Sequence, residues 1–407
     1  MTDLFWPGDE RAGDLLSDAA LLAAMVDVEA AWLGALVAAG IAPAQAKADL
    51  GGLVTEADVP RLAAAAESGG NPVIPLVALL RERLGPHPEA ARWLHRGLTS
   101  QDVVDTALVL GIRAATEAVR RDLTHQVKAL AGLVADHRDT PMVARTLTQH
   151  AVPTTFGLKA AQWLAGVLDA ADAVAGLAFP AQLGGAAGTM AAATELAGPA
   201  GAAGALRLAA ATAERLGLAA APPWHTTRAT FTRAGDAAVT TTDAWGRIAN
   251  DVLTLGRPEI GELSEGTGGG SSTMPHKANP VLSTLIRRAA LSTPQLAATL
   301  HLAAAESVDE RADGAWHAEW ATLRTLLRRT CVAGSQATDL LAGLRVHPDR
   351  MRATLDAARD DVLAEQRSMI ALTDASPDDA SPDYRGAAGV LVDAALDRAR
   401  AHLEETP

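Results

Sequence analysis

The densest group of polar side chains in the sequence follows a run of three glycines. Residues 268–280 read Gly-Gly-Gly-Ser-Ser-Thr-Met-Pro-His-Lys-Ala-Asn-Pro. The glycines leave backbone N–H groups open to an anion, the serines supply hydroxyl groups, Lys277 supplies a positive charge and Asn279 supplies an amide. An ordinary surface loop would explain the glycines, but not the run of hydroxyl, ammonium and amide groups. We therefore predict that this stretch binds a ligand.

A second polar group precedes the longest helical pattern of the chain. Residues 95–107 read His-Arg-Gly-Leu-Thr-Ser-Gln-Asp-Val-Val-Asp-Thr-Ala. A helix start would explain Thr99 or Ser100 as the N-cap and Asp102 as a first-turn acid. Because the amino terminus of a helix also attracts anions, His95, Thr99 and Ser100 could contact a substrate carboxylate.

Two further stretches combine polar side chains with breaks in the helical pattern. Residues 145–159 hold Arg145 and His150 before Pro153, and a helix boundary with a stray surface histidine explains His150 equally well. Residues 223–228 read Pro-Trp-His-Thr-Thr-Arg, and packing is a more common role for such a Trp–His pair than catalysis.

The glycine-rich stretch matches the signature Gly-Ser-Ser-x-Met-Pro-x-Lys-x-Asn-Pro of the fumarase/aspartase superfamily at every specified position. The chain therefore resembles that superfamily, in which this loop closes over the substrate. The resemblance implies that Ser271 removes a proton beside a carboxylate, and that Lys277 and Asn279 hold the resulting dianion. Glu262, nine residues before Ser271, could support this base electrostatically. The resemblance further implies a set of substrate-binding residues: His95, Thr99, Ser100, Arg145, Thr146, Gln149, His225, Arg228, Ser272 and Met274.

Within the superfamily, the chain is most similar to the 3-carboxy-cis,cis-muconate cycloisomerases. This similarity rests on residues 3–5, 182–189, 223–228, 310–320 and 343–348. Two positions depart from related patterns. Leu147 stands where fumarase, argininosuccinate lyase and adenylosuccinate lyase have a histidine, although the cycloisomerases also lack histidine there. Ala278 stands where cycloisomerases usually have an arginine, so one cation for a substrate carboxylate is missing.

The resemblance implies lactonisation of 3-carboxy-cis,cis-muconate to a carboxymuconolactone without a cofactor. A substrate carboxylate oxygen adds across the substrate's own double bond, and negative charge develops on the carboxyl group beside the protonated carbon. Fixed donors at that group would be the largest catalytic term. No leaving-group acid is needed, which agrees with Leu147. Two alternatives stay open: a lyase that releases fumarate from a succinylated amine such as adenylosuccinate, and a catalytically silent structural relative.

The elements that must position these residues are predicted to be mainly helices. Apolar residues recur every three or four positions from Val104 to Val134, which predicts one helix of about 46 Å. Proline and glycine breaks predict further helices over residues 154–179, 206–216, 236–255, 281–305 and 315–344. They also predict a loop over residues 266–280, called the glycine-rich loop below, and a mobile connection over residues 371–386.

The predicted fold is all-α, with a long central helical bundle flanked by small helical domains. We place a small amino-terminal domain at residues 1–95, the central bundle at 96–343 and a shortened carboxy-terminal domain at 344–407. One long helix with an apolar face needs more cover than short helices provide. We therefore expect a homotetramer with shared active sites, acting on a small di- or tricarboxylate.

Composition and charge restrict the class of protein further. The 407 residues carry a net charge of −13, which argues against nucleic-acid or anionic-membrane partners. The single cysteine, Cys331, cannot form an internal disulfide, so we expect a cytoplasmic protein. The apolar stretch at 19–41 holds Asp27 and Glu29, so we predict no membrane span. No histidine or cysteine spacing indicates a zinc site, and we expect neither metal nor cofactor.

Overall fold

Segments rich in alanine and leucine form nearly all of the regular structure. The computed structural model describes residues 3–266, 269–270, 273–274, 277–373, 376, 379–381 and 383–405. The helices in these residues are α1 Asp18–Ala38, α2 Val59–Gly69, α3 Val73–Arg83, α4 Pro88–Trp93, α5 Ser100–Asp136, α6 Phe156–Ala175, α7 Ala191–Leu196, α8 Gly201–Arg215, α9 Ala229–Leu255, α10 Val281–Ala305, α11 Ala315–Gly343, α12 Pro348–Ala357, α13 Arg359–Val362, α14 Ala364–Ile370 and α15 Ala388–Glu405. The strands are β1 Pro141–Thr146, β2 Gln149–Thr155, β3 Leu263–Ser264 and β4 Arg345–Val346. The predicted all-α class is confirmed.

The long helix predicted from Val104 to Val134 is present as α5 and extends a few residues beyond both predicted ends. Every apolar position that carried the periodic pattern is buried. A helix is stabilised mainly by burying such a face, so the pattern located α5 well. The helices predicted at 281–305 and 315–344 appear as α10 and α11, with the end of α11 one residue earlier.

A two-stranded hairpin replaces the predicted helix start near residue 154. Strand β1 pairs antiparallel with β2, with Val143 opposite Pro153 and Thr146 opposite Gln149. Proline lacks an N–H group, so Pro153 fits a two-stranded ribbon in which each strand has a free edge. The helix itself, α6, begins at Phe156 and ends at Ala175, so both predicted ends were wrong. The β-branched Thr154 and Thr155 extend the strand instead.

Contacts divide the chain into two compact units. Unit 1 comprises residues 1–118, 176–236 and 294–331, and unit 2 comprises residues 119–175, 237–293 and 332–407. Each unit gathers three separate stretches of chain. The predicted domain boundaries after residues 95 and 343 stay a prediction, because compactness alone does not identify segments that fold independently.

Each unit has its own packing. In unit 1, α1 packs against α8, and Trp32 of α1 is buried. In unit 2, α6 packs against α15, where Arg398 pairs with Asp169 at 2.8 Å and Asp172 at 2.7 Å. The β1–β2 hairpin packs against α12. The predicted mobile connection at 371–386 lies partly outside the described residues.

Helix α1 passes a simple test for a membrane span by length and apolar composition. Length and composition alone do not identify a span, so this finding does not contradict the predicted absence of one. The structure gives α1 another role, because 56% of its most apolar window is buried within the protein. Its Glu29 lies 2.6 Å from His95, and its Trp32 donates a hydrogen bond to the Arg96 carbonyl. A core helix passes the same test, and these contacts are those of a core helix.

Candidate active site

The amino terminus of α5 is tied to a glycine-containing loop by one buried carboxylate. Asp102 accepts hydrogen bonds from the backbone N–H groups of Thr99 at 3.0 Å, Gly184 at 2.7 Å and Gly185 at 3.0 Å. The Gln182 amide donates to it at 3.2 Å. Burial raises the pKa of Asp102 from 3.8 to about 6, because lost hydration outweighs these donors. Asp102 therefore does more than occupy the first turn of α5, the role predicted for it: it also binds the backbone of the loop at Gly184 and Gly185.

His225 lies against this same loop. Its Nδ1 is 3.2 Å from Gln182 Nε2, and Gln182 Oε1 accepts from the Trp224 N–H at 2.6 Å, which fixes the orientation of the amide. Nδ1 is thus the acceptor, and a neutral His225 ring carries its proton on Nε2. Burial lowers the pKa of His225, and the nearby Arg311 and Arg228 charges lower it further against the effect of Asp105.

Two glycines are required by the approach of the loop to the His225 ring. A Cβ atom at Gly184 would lie 2.9 Å from His225 Cε1, and one at Gly188 would lie 2.5 Å from the same atom. Gly188 also has φ +75°, in the region that favours glycine. The sequence analysis singled out this loop only through its resemblance to cycloisomerases.

Arg228 is enclosed by carboxylates and is 4% exposed. It forms two hydrogen bonds to Asp105, at 2.7 and 3.1 Å, and its Nη2 donates to Glu319 at 2.6 Å. Its Nε also donates to Glu319, and Trp316 donates to Asp105 at 2.9 Å. Burial opposes the charged form, but the two carboxylates together raise the pKa of Arg228. Because its donors are occupied, we expect Arg228 to support the site without binding substrate directly.

Arg311 is a cation at this site that the sequence analysis did not include among the binding residues. It donates a hydrogen bond to the Thr99 hydroxyl. Its Nε is buried and has no hydrogen-bond partner among the described residues. The only sequence signal was the position of Arg311 in a segment similar to cycloisomerases. A cation beside the amino terminus of α5 is well suited to a substrate carboxylate.

Two predicted site residues of unit 2 bind each other. Arg145 donates to both oxygens of Glu262, at 2.9 and 2.7 Å, and the Glu262 side chain is fully buried. The two hydrogen bonds hold the Glu262 side chain in place, directly before β3. The pairing uses two nitrogens of Arg145, so this residue offers less positive charge to a substrate than its residue type suggests.

The tip of the β1–β2 hairpin is exposed and conformationally strained. Thr146 and Gln149 pair across it, and Leu147 and Thr148 between them have φ values of +47° and +70°. Both are uncommon for side chains that are not glycine, and a β-branched threonine is an outlier there. Leu147 is 96% exposed. Such strain is often retained where function requires a particular loop shape.

The described parts of the glycine-rich loop are anchored at both ends. Gly269 and Asn279 exchange backbone hydrogen bonds of 2.8 Å. Glu265, just before the loop, accepts from the Ser283 N–H at 2.7 Å and so caps α10 just after it. Lys277 and Met274 are exposed. The predicted base Ser271 and the predicted binding residue Ser272 lie outside the described residues.

The predicted residues therefore fall into two groups. Unit 1 joins Thr99, His225 and Arg228 through one network of buried hydrogen bonds, with Ser100 beginning α5 and His95 held separately by Glu29. Unit 2 holds Arg145, Thr146, Gln149 and Glu262, with Met274, Lys277 and Asn279 in its loop. In the described part of the chain, no group of three or more metal-ligating side chains is placed to hold a metal ion.

Comparisons with known proteins agree with the motifs. The profile of a family described as lyase matches residues 21–293. The chain is 46% identical over 364 residues to a nitrosuccinate lyase of Streptomyces davaonensis, covering 86% of this chain and 76% of the relative. It is 40% identical over 369 residues to a 3-carboxy-cis,cis-muconate cycloisomerase of Bradyrhizobium diazoefficiens, covering 86% and 80% of the two chains. The crystal structure of a 3-carboxy-cis,cis-muconate lactonizing enzyme from Pseudomonas putida superposes with a TM-score of 0.84 at 31% identity, covering 96% and 97%.

Proposed function

The chain belongs to the lyase family of the fumarase/aspartase superfamily, and from this we propose that it eliminates a small anion from a 2-substituted succinate. It is an enzyme of the lyase and isomerase kind. The products would be fumarate and the released anion. Nitrosuccinate is the substrate that we consider first, because a relative with 46% identity is a nitrosuccinate lyase.

The observation that carries this proposal is Leu147 at the exposed tip of the hairpin. Fumarase and the amine-releasing lyases that the chain resembles have histidine at this position. An amine or hydroxide leaves poorly unless an acid protonates it. Nitrous acid is a far stronger acid than water or an ammonium ion, so nitrite can leave unprotonated. A leucine at the tip is therefore compatible with a stable anionic leaving group.

The absence of a positive charge at position 278 supports a dicarboxylate over a tricarboxylate. Ala278 supplies no charge, and Arg145 is committed to Glu262. Lys277 is the full cation among the described residues of the glycine-rich loop. In unit 1, Arg311 is a cation suited to a carboxylate.

The proposed chemistry removes the proton from C3 of the substrate, next to the C4 carboxylate. Ser271 acts as the base, as the superfamily signature implies. The electron pair of the C3–H bond first charges the C4 carboxyl group, which Lys277 and Asn279 stabilise. That pair then forms the C2–C3 double bond, and the C2 substituent leaves with its own bonding pair. With nitrosuccinate the products are fumarate, nitrite and one proton held by the enzyme.

Lactonisation of 3-carboxy-cis,cis-muconate is the second candidate. It also needs no leaving-group acid, and it is favoured by the overall structural likeness to the Pseudomonas putida lactonizing enzyme. The missing arginine at position 278 counts against it.

A direct assay separates the candidates. Purified protein is incubated with nitrosuccinate and assayed for fumarate and nitrite in equal amounts, and with 3-carboxy-cis,cis-muconate and followed by loss of conjugated absorbance. Adenylosuccinate tests an amine leaving group, and Lys277→Met is the inactive control. We expect turnover of nitrosuccinate at least tenfold above that of the other two, which is about 1.4 kcal/mol of discrimination. If lactonisation is faster than elimination from nitrosuccinate, lactonisation becomes the first candidate. If adenylosuccinate is the only one of the three substrates that reacts, both candidates are contradicted.

We also propose that the enzyme is a homotetramer whose sites draw on several chains. Exposed apolar side chains along α10, including Leu302 at 67% exposure, offer surface for such an assembly. Light scattering should give four times the 41.9 kDa mass of one chain. His95→Asn and Lys277→Met chains, each strongly impaired but with a measurable rate, should recover activity when refolded together because mixed tetramers contain some sites with neither change. A monomeric mass with no recovery would contradict the proposal.

A further inference from the structure

We propose that Glu29 is a positioning residue that fixes the orientation and protonated nitrogen of His95 for contact with the substrate. The proposal deepens the function proposed above, and its activity measurements rest on that function. Glu29 lies outside all the polar stretches identified in the sequence, and it is 66 positions from His95 along the chain.

The contact itself determines which ring nitrogen carries a proton. Glu29 Oε1 lies 2.6 Å from His95 Nδ1, a short distance typical of a charge-assisted hydrogen bond. An ionised carboxylate only accepts hydrogen bonds, so Nδ1 must carry the proton. His95 Nε2 has no hydrogen-bond partner among the described residues and is the nitrogen left for a ligand.

The backbone on both sides of His95 is fixed by neighbouring side chains. Arg81 Nη2 donates to the Leu94 carbonyl at 2.9 Å, and Trp32 Nε1 donates to the Arg96 carbonyl at 2.7 Å. Trp32 is three residues after Glu29 on α1, so one helical face holds both the ring and the chain beside it.

This fixation maintains a strained conformation. His95 has φ +62°, in the left-handed region that side chains other than glycine rarely adopt. Conformations of this kind persist only when surrounding contacts determine them, and they concentrate at functional sites. The hydrogen bonds from Arg81 and Trp32 are such contacts. The strain is therefore consistent with a ring that must be presented in one orientation.

The burial of Glu29 is costly for a residue with only a packing role. Its side chain is fully buried, and its second oxygen, Oε2, has no hydrogen-bond partner among the described residues. An apolar side chain would fill this space without the desolvation cost. The carboxylate is explained if the ring must be held through its Nδ1–H group, with Nε2 left for the substrate.

Kinetics of four variants test the proposal when nitrosuccinate is turned over. Glu29→Gln retains the shape of the side chain, Glu29→Ala removes it, and His95→Asn removes the ring. Asp27→Asn removes a charge from an exposed position on the same helix and serves as the matched control. We expect Glu29→Gln and Glu29→Ala to lower kcat/KM at least about tenfold, as for other carboxylates that orient histidines. Asp27→Asn should be unchanged.

The combination with His95→Asn separates positioning from a general structural role. If Glu29 acts through His95, adding Glu29→Ala to His95→Asn should change kcat/KM by less than about twofold. If Glu29→Ala lowers kcat/KM by the same factor in wild type and in His95→Asn, the proposal is overturned.

Histidine NMR provides a readout that needs no turnover. Spectra of protein labelled with 15N in its histidine rings are recorded, and the His95 signal is assigned by its loss in His95→Asn. Wild-type His95 should show a protonated Nδ1, whereas Glu29→Ala should move the neutral ring toward the Nε2-protonated form. An unchanged His95 signal in Glu29→Ala and Glu29→Gln would overturn the proposal. If the protein turns over none of the substrates, the proposed function fails and this measurement still decides the role of Glu29.

Discussion

The two groups of candidate site residues differ in how they are held. In unit 1, Asp102, His225 and Arg228 belong to a buried network of hydrogen bonds. In unit 2, Lys277 and Leu147 stand on an exposed loop and an exposed hairpin tip. Substitutions in the first group should therefore affect stability and activity together. Substitutions at the exposed Lys277 and Leu147 should affect activity alone, and the experiments test that division.

The largest effect is expected for Arg228→Met. It leaves Asp105 and Glu319 buried without their cation, which typically costs about 3–5 kcal/mol. The free energy of unfolding is measured by urea denaturation at fixed protein concentration. The matched control is Arg398→Met, because Arg398 also lies between two carboxylates but at the surface. We expect the control to lose no more than about 1 kcal/mol. Similar losses of unfolding free energy in Arg228→Met and Arg398→Met would mean that burial of the Arg228 network adds nothing to stability.

Lys277→Met should act on activity without acting on stability. Removing one fixed donor to a developing negative charge typically lowers kcat by about 10²–10³. Lys277 is exposed, so its loss should leave the urea midpoint unchanged. Lys277→Arg keeps the charge and should retain part of the rate. If Lys277→Met unfolds at lower urea, the lysine is structural and the loop is not merely a ligand-binding element.

Asp102 should make stability depend on pH in a defined direction. Its folded pKa of about 6 lies above the ordinary 3.8, so the native state binds its proton more tightly than the unfolded state. Its contribution is therefore fully present below about pH 4 and is lost as pH rises to about 6. A shift of this size corresponds to at most about 3 kcal/mol.

The difference between wild type and Asp102→Asn isolates this contribution from that of other acids. Urea denaturation of both proteins from pH 4 to pH 7 should show wild type losing stability relative to the variant across that interval. Parallel curves would mean that Asp102 keeps an ordinary pKa and that burial does not control it.

The sequence predicted the features that depend on local pattern. Helix α5 was found because its apolar face repeats along the whole helix, and the glycine-rich loop was found because its signature is contiguous. Arg311 and Glu29 were missed as site residues because their importance comes from contacts across 212 and 66 positions of chain. The β1–β2 hairpin was missed because its two strands are short and each contains a proline. Pairing of distant residues leaves no periodic trace in a single sequence.

The smallest effect on stability is expected for Leu147→His. Position 147 is 96% exposed, so the change removes almost no packing. Histidine also tolerates the left-handed conformation at φ +47° better than leucine does. Stability should therefore stay within about 0.5 kcal/mol of wild type.

The effect of Leu147→His on rate depends on the leaving group. Nitrite needs no proton, so an added imidazole should change kcat for nitrosuccinate by less than about twofold. An amine leaving group would benefit, since a positioned acid typically contributes about 10²–10⁴-fold. Leu147→Asn supplies a polar side chain that cannot act as an acid and is the matched control. A large gain with nitrosuccinate in Leu147→His alone would show that departure of the substituent needs a proton, and the leucine would then no longer support an anionic leaving group.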